Sequence, residues 1–219
     1  MESLYHIKTA EIQFLPLKAI DIHKLRGYFG NRFKELDLLH NHNPETGKNI
    51  YRYPAVQFKE RGMVTGYKEE GIKILKRMFL ETDTVIIQDR EIKIRQKEME
   101  IKEQPLGEDG ELHEYRFLTP WCALNQTNYK KYCLMSGAEE RRKKLQGILI
   151  SNILSFCKFA GYTVKERLMV KLKLHHTHEI LKGEKVMGFK GDFVINFLLP
   201  DYLGLGKSTS RGYGMIVKI

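Results

Sequence analysis

Leu4 to Phe14 alternates apolar and polar positions and is rich in β-formers until Pro16 ends it. Ile20 to Phe33 changes period, with Ile22, Leu25, Phe29 and Phe33 at helical spacing. Tyr51 to Lys59 reads as a strand after a loop containing Pro44, Gly47 and Asn49, and a tight turn at Arg61-Gly62 leads to a second strand, Met63 to Tyr67. Glu70 to Phe79 gathers Ile72, Leu75, Met78 and Phe79 on one helical face, and Val85 to Ile87 with Ile92 to Ile101 adds β-rich segments. The order is βαββαβ with one extra strand.

Pro105, Gly107 and Gly110 interrupt the chain between Gln104 and Gly110 and mark a boundary. Beyond it, Tyr115 to Leu118 predicts a short strand, and Ala138 to Phe159 a long helix with Leu145, Ile148, Leu149, Ile153 and Phe156 along one side. Val164 to Leu174, Lys185 to Phe189 and Asp192 to Leu199 are further strand candidates, with Met215 to Ile219 as a short β-like end. The fold class expected is α+β, with tandem ferredoxin-like, RNA-recognition-module-like domains over residues 1–103 and 111–219.

Composition sharpens the picture chiefly through charge. Of the formal net charge of +10, residues 1–110 contribute little, with 19 Lys and Arg against 18 Asp and Glu, whereas residues 111–219 hold 18 against 9. A polyanion docking on such a field gains affinity by releasing condensed counterions, so nucleic acid leads the partner classes. Cys122, Cys133 and Cys157 are odd in number and lie 11 and 24 residues apart, which fits neither a disulfide framework nor a zinc spacing. The N-terminus has no apolar run of signal-peptide length and no stretch approaches the roughly 20 apolar residues of a membrane span, so a cytoplasmic protein with no membrane partner is expected.

The most specific feature is Gly204-Leu205-Gly206-Lys207-Ser208-Thr209-Ser210-Arg211-Gly212-Tyr213-Gly214. An ATPase-type phosphate loop requires glycine where Asp201 stands and a helix afterwards, and neither requirement is met; a dinucleotide fingerprint fails for want of a following helix and long βα unit. What remains is a loop of exposed N–H groups, the hydroxyls of Ser208, Thr209 and Ser210, and the cations Lys207 and Arg211, with Gly204, Gly206, Gly212 and Gly214 allowing close backbone approach to phosphates. Arg141, Arg142, Lys143 and Lys144, early in the long helix, join these as RNA-binding candidates. The competing reading is a plain turn between two terminal strands.

His40 and His42 alternate in a polar loop, where imidazoles can serve proton transfer near neutral pH or, less economically without neighbouring Cys or acidic ligands, a metal. Tyr51 and Tyr53 follow, expected to alternate on one strand face. In RNA the 2'-OH is an internal nucleophile, so two imidazoles of opposite protonation state suffice for cleavage, with Lys59 or the glycine-rich loop stabilising the phosphorane. No metal and no cofactor is expected. The histidines can also simply stack on bases. His175, His176 and His178 are read as a solvated strand-to-loop region.

Leu38-Leu39-His40-Asn41-His42, Tyr51 to Lys59, Phe117-Leu118-Thr119-Pro120-Trp121 and the segment Gly204 to Gly214 together resemble the CRISPR-associated endoribonucleases that process repeat RNA, in the short form with an N-terminal histidine pair. The resemblance implies paired ferredoxin-like domains, a CRISPR precursor RNA substrate, and metal-independent cleavage leaving a 2',3'-cyclic phosphate and a 5'-hydroxyl. It matches His40 and His42 to the catalytic pair, Tyr51 or Tyr53 to a tyrosine implicated in some members, and Gly204 to Gly214 to the RNA-binding loop. It further implies homodimerisation on RNA or transfer of product to an interference complex. The alternative is a CRISPR repeat RNA-binding protein without catalysis.

Overall fold

The computed structural model describes residues 4–15, 22–40, 52–181 and 184–219. It separates into two compact units. The N-terminal unit spans Ile7–Gln104 and takes in Ser210–Gly212; the C-terminal unit contains Pro105–Thr209 and Tyr213–Ile219, together with Tyr5 and His6.

The N-terminal unit begins with β1 (Tyr5–Leu15) and α1 (Ile22–Arg32), then the single-turn α2 (Asp37–His40). β2 (Val56–Phe58), β3 (Met63–Tyr67), α3 (Lys68–Glu81), β4 (Thr84–Ile87), β5 (Arg90–Lys93) and β6 (Gln96–Leu106) follow. Its four-stranded sheet has the order β2-β3-β1-β6, with β1 and β2 antiparallel to β3. This is the strand order of a ferredoxin-like βαββαβ unit. The predicted helical stripes supply the core: Leu25, Phe29 and Phe33 join Ile72, Leu75 and Met78 with Ile12, Phe14, Phe58 and Val64. Glycine allows α3 to approach the sheet, because a Cβ at Gly71 would stand 2.6 Å from the Ala55 carbonyl oxygen.

Two expectations change here. The strand expected from Tyr51 to Lys59 is confined to Val56–Phe58, so Tyr53 precedes the ladder rather than sharing a strand face; Pro54, which lacks an N–H, lies between them. The segment Ile92 to Ile101 divides into β5 and β6. β4 and β5 form a hairpin whose turn residues Gln88 and Asp89 both have positive φ, the geometry of a two-residue type I′ turn.

The C-terminal unit runs β7 (His113–Trp121), α4 (Gln126–Leu134), α5 (Ala138–Ala160), β8 (Val170–Leu181), β9 (Glu184–Ile195) and β10 (Ile216–Lys218). Its sheet order, β10-β7-β9-β8, repeats the ferredoxin-like arrangement. The second helix of that pattern is replaced by the glycine-rich segment, which contains one 3-10 turn at Thr209–Arg211. Tyr115, Phe117, Trp121, Phe189 and Phe193 are buried on the sheet, and α5 contributes Leu145, Leu149, Ile153 and Phe156 to the core. α4, unforeseen, has Asn125 as its N-cap, the side chain accepting from the Asn128 N–H at 2.7 Å.

The three strand candidates after Val164 fall on one long hairpin, paired from Val170 with Ile195 to Leu181 with Glu184, while residues 164–169 and 196–199 lie outside its ladder. Gly188, inside one candidate strand, and Gly191, between two of them, relieve crowding, since a Cβ on Gly191 would fall on the Lys173 carbonyl oxygen and one on Gly188 would lie 2.9 Å from Thr177 Oγ1. His175, His176 and His178 therefore lie within β8 rather than at a strand end, and the His176 and His178 rings meet edge-on at 5.7 Å.

Candidate functional site

His40 closes α2, while its side chain, His42 and Tyr51 lie outside the described residues. The backbone leading to His40 is held from several sides. Leu39 is 3% exposed, its N–H donates to the Leu36 carbonyl at 3.0 Å, and its own carbonyl accepts from Arg26 Nη2 at 3.2 Å. Arg52 Nη1 meets Asp37 Oδ2 at 3.1 Å at the start of the same turn.

A chain of polar groups follows Arg52 in sequence. Gln57, fully buried, donates through Nε2 to the Tyr53 hydroxyl at 2.8 Å and accepts from Lys59 Nζ at 2.6 Å. Burial pushes the Tyr53 phenol well above its ordinary value, so near neutral pH it is a hydrogen-bonding phenol rather than a phenolate. Burial also pushes the Lys59 ammonium down to about 7. Lys59 is 1% exposed, and its amine is directed to Gln57.

Arg26 adds positive charge beside α2. Burial and then the Arg211 charge hold its guanidinium below the ordinary value. Among the described residues its buried Nε has no hydrogen-bond partner, a condition that favours an added acceptor. His23, one turn earlier on α1, is depressed by burial, then by Arg211, then by Arg26. The Arg211 end of the glycine-rich segment belongs to this unit, and Gly212 brings it close: at φ +88, a Cβ there would be 3.1 Å from Ile22 Cδ1 and 3.3 Å from the Phe58 carbonyl oxygen. Like charges so arranged suit an anion such as a phosphate.

The rest of the glycine-rich segment is more built than an open rim of N–H groups. Leu205 N–H donates to Gly214, Gly214 N–H to Pro120 at 2.9 Å, and Lys207 N–H to Cys122 at 3.1 Å. Gly204, Thr209, Gly212 and Gly214 are buried, while the Lys207 side chain is exposed and Gly206, Ser208, Ser210 and Arg211 are partly so. Gly206 (φ +91) packs where a Cβ would stand 2.6 Å from Trp121 Nε1.

The basic start of α5 divides into two pairs. Arg141 is turned into structure, donating to the Met135 carbonyl at 2.9 Å and lying over the Tyr132 ring, and Arg142 pairs with Glu139. Lys143 and Lys144 line a cavity with Lys207. His113 is mostly buried with its Nε2 at 2.9 Å from Asp109 Oδ1. Among the described residues no three His, Cys, Asp or Glu side chains gather as a metal site would need, and no helix is long and apolar enough to cross a membrane.

The sequence matches the family model of the Cas6b N-terminal domain over residues 5–105 and that of the Cas6b C-terminal domain over residues 107–219. The chain belongs to the Cas6b family. It is similar to a crystal structure of Cas6b, with 33% identity, a TM-score of 0.89, and coverage of 98% of this chain and 100% of that one. A second crystal structure, described as the CRISPR RNA processing endoribonuclease Cas6b, matches with 30% identity and a TM-score of 0.79 over the same shares. An uncharacterised protein of Methanocaldococcus jannaschii is 36% identical over 120 residues, which are 54% of this chain and 81% of that protein. At 13% identity and a TM-score of 0.62, a type IV Cas6 crRNA endonuclease shares the fold.

Within this Cas6b chain, sequence reasoning missed Arg26, His23 and Gln57. Arg26 and His23 occupy polar positions of an amphipathic helix, where a cation is ordinarily a solvated face. Their positions on α1, three residues apart and therefore one turn, were the available signal.

Proposed function

We propose that this Cas6b protein processes CRISPR precursor RNA by cutting within the repeat, using the 2'-hydroxyl of the cleaved nucleotide as nucleophile. The observation that carries the reading is the likeness to Cas6b along 98% of the chain, including a structure described as a CRISPR RNA processing endoribonuclease.

One of His40 and His42 accepts the 2'-OH proton. The freed oxygen attacks the adjacent phosphorus, the bond from phosphorus to the 5'-oxygen breaks, and the other histidine, protonated, supplies a proton to that oxygen. The products are a 2',3'-cyclic phosphate and a 5'-hydroxyl, with no net consumption of water or metal. Arg26 and Arg211 hold the phosphate, and their field stabilises the extra negative charge of the phosphorane. Tyr51 or Tyr53, as a neutral phenol, donates a hydrogen bond in the same region, and Lys59 adds charge when protonated. Product transfer to an interference complex, or pairing of two copies on RNA, follows from the same reading.

The test is single-turnover cleavage of a repeat RNA in excess EDTA by the parent, His40→Ala and His42→Ala, with binding measured in parallel. Each histidine should be worth about 100-fold to 10,000-fold in rate at retained binding. A 2'-deoxy substitution at the cleaved nucleotide should stop the reaction. Cutting of the deoxy substrate, or loss of cutting in EDTA, would replace this mechanism by one using an activated water; binding without cutting by the parent would leave an RNA-binding protein.

A further inference from the structure

Two adjoining cavities in the C-terminal unit share Asn125 and Lys207, and they differ in chemistry. One, of about 470 Å³, is lined by Lys143, Lys144 and Lys207 with Asn125, Asn152 and Ser151, and none of its lining side chains is acidic. Both asparagines are fixed by their carbonyl ends: Asn152 Oδ1 accepts from Trp121 Nε1 at 3.1 Å, and Asn125 Oδ1 accepts from the Asn128 N–H at 2.7 Å. Each amide is thereby left with its NH2 as the donor end. Three ammonium groups and two amide donors around one cavity form a site for an anion.

The neighbouring cavity, of about 400 Å³, has Leu124, Val186 and Met187 in its walls and Tyr129 beside them, with Glu184 and Lys185. Tyr129 is 44% exposed and lines the cavity. An aromatic ring among aliphatic walls suits a flat heterocycle, which stacks on the ring and is desolvated by the rest. Glu184 can accept from an exocyclic amine on the edge of that heterocycle.

We infer that these cavities together hold one unpaired nucleotide of the RNA, its phosphate among Lys143, Lys144 and Lys207 and its base against Tyr129. The inference rests on the proposed function for the identity of the RNA. It adds a place where the protein senses an unpaired base, on residues separate from His40 and His42. Gly206 makes the arrangement possible, because the loop carrying Lys207 can pass Trp121 only without a side chain there.

The experiment places 2-aminopurine at successive positions of a repeat RNA and records fluorescence on binding to the parent, Tyr129→Ala, Tyr129→Phe, and Lys143→Ala/Lys144→Ala/Lys207→Ala. One position should be quenched by the parent and by Tyr129→Phe, with the quench lost in Tyr129→Ala. Affinity for unmodified RNA should fall about 5-fold to 100-fold in Tyr129→Ala. The triple variant should lower the slope of log affinity against log salt by about 0.7, the contribution of one phosphate contact to a single strand. Unchanged affinity, quench and salt slope in folded variants overturn the inference while cleavage by the parent leaves the proposed function standing. The reverse case, no cleavage of repeat RNA by the parent but a Tyr129-dependent quench, removes the proposed function and keeps an RNA nucleotide site. Adenosine monophosphate, tested alone, should not saturate the site at micromolar concentration; if it does so and no RNA position is quenched, the site belongs to a free nucleotide and the inference falls.

Discussion

Replacing Lys59 by Met should abolish a specific component of the pH dependence of stability. Lys59 is 1% exposed, and burial pushes its ammonium from 10.5 down to about 7. Between these values the unfolded chain holds a proton that the folded chain has released, so the parent gains stability as pH rises through the window. Below about pH 7 both states are protonated and the full penalty of burying the charge is present. With about 1.4 kcal/mol per pKa unit, integrating the proton difference from pH 6.5 to 8.5 gives about 2 kcal/mol. The Cys122 and Cys157 thiols, pushed up to about 12 by burial, act in the opposite direction once the unfolded thiols ionise near their ordinary 9.0, which sets the upper end of the range. The assay is urea unfolding of parent and Lys59→Met at pH 6.5, 7.5 and 8.5, and subtracting one protein from the other cancels the thiols and every other shared group. The readout is the slope and not the offset, because Met also leaves the Gln57 carbonyl without its donor, a loss of about 1–3 kcal/mol at any pH. A difference that stays flat across the three pH values refutes the reasoning: Lys59 would then remain charged inside the fold and could act as a fixed cation rather than a group that titrates near neutrality.

Arg211→Ala should raise the His23 pKa, because the Arg211 charge is the second cause of its depression after burial; an NMR titration of the imidazole reads the shift, and no movement would separate Arg211 from the α1 cluster. Gly214→Ala should destabilise the protein by about 2–4 kcal/mol, since φ is +68 and the new Cβ would be driven onto the Leu205 carbonyl oxygen; thermal unfolding within about 0.5 kcal/mol of the parent would mean that the loop can open at little cost.

What the sequence made legible follows from the distances over which each signal acts. The stripes Leu25-Phe29-Phe33 and Ile72-Leu75-Met78 are periodic within one helix, so they could be read without knowing what they pack against, and both are core. β9 reads as two strands, Lys185 to Phe189 and Asp192 to Leu199, because Gly191 in the gap between them answers to Lys173 on the facing strand and not to its own neighbours. The site divides in the same way. The glycine-rich segment is conspicuous because four glycines and two cations fall within 11 residues, but its hydrogen-bonded interior depends on Pro120 and Cys122, 94 residues before Gly214 and 85 before Lys207. Arg26 gives little local signal beyond its place one turn from His23 on α1. It becomes a candidate phosphate ligand only when folding puts its guanidinium against the Leu39 carbonyl and within reach of the Arg211 charge, leaving Nε buried without an acceptor among the described residues. This also explains the place of the glycine-rich segment in the architecture. A helix at that point of the ferredoxin-like pattern would satisfy its own backbone and present a fixed cylinder, whereas the loop satisfies its backbone through β7 and Cys122 while Ser210–Gly212 belongs to the N-terminal unit. One segment therefore supplies Lys207 to the cavities of the C-terminal unit and Arg211 to the cluster beside α2. Substitution at Lys207 and substitution at Arg211 should each reduce the salt dependence of RNA binding by up to about 0.7, the contribution of one phosphate contact to a single strand, and the two losses should add.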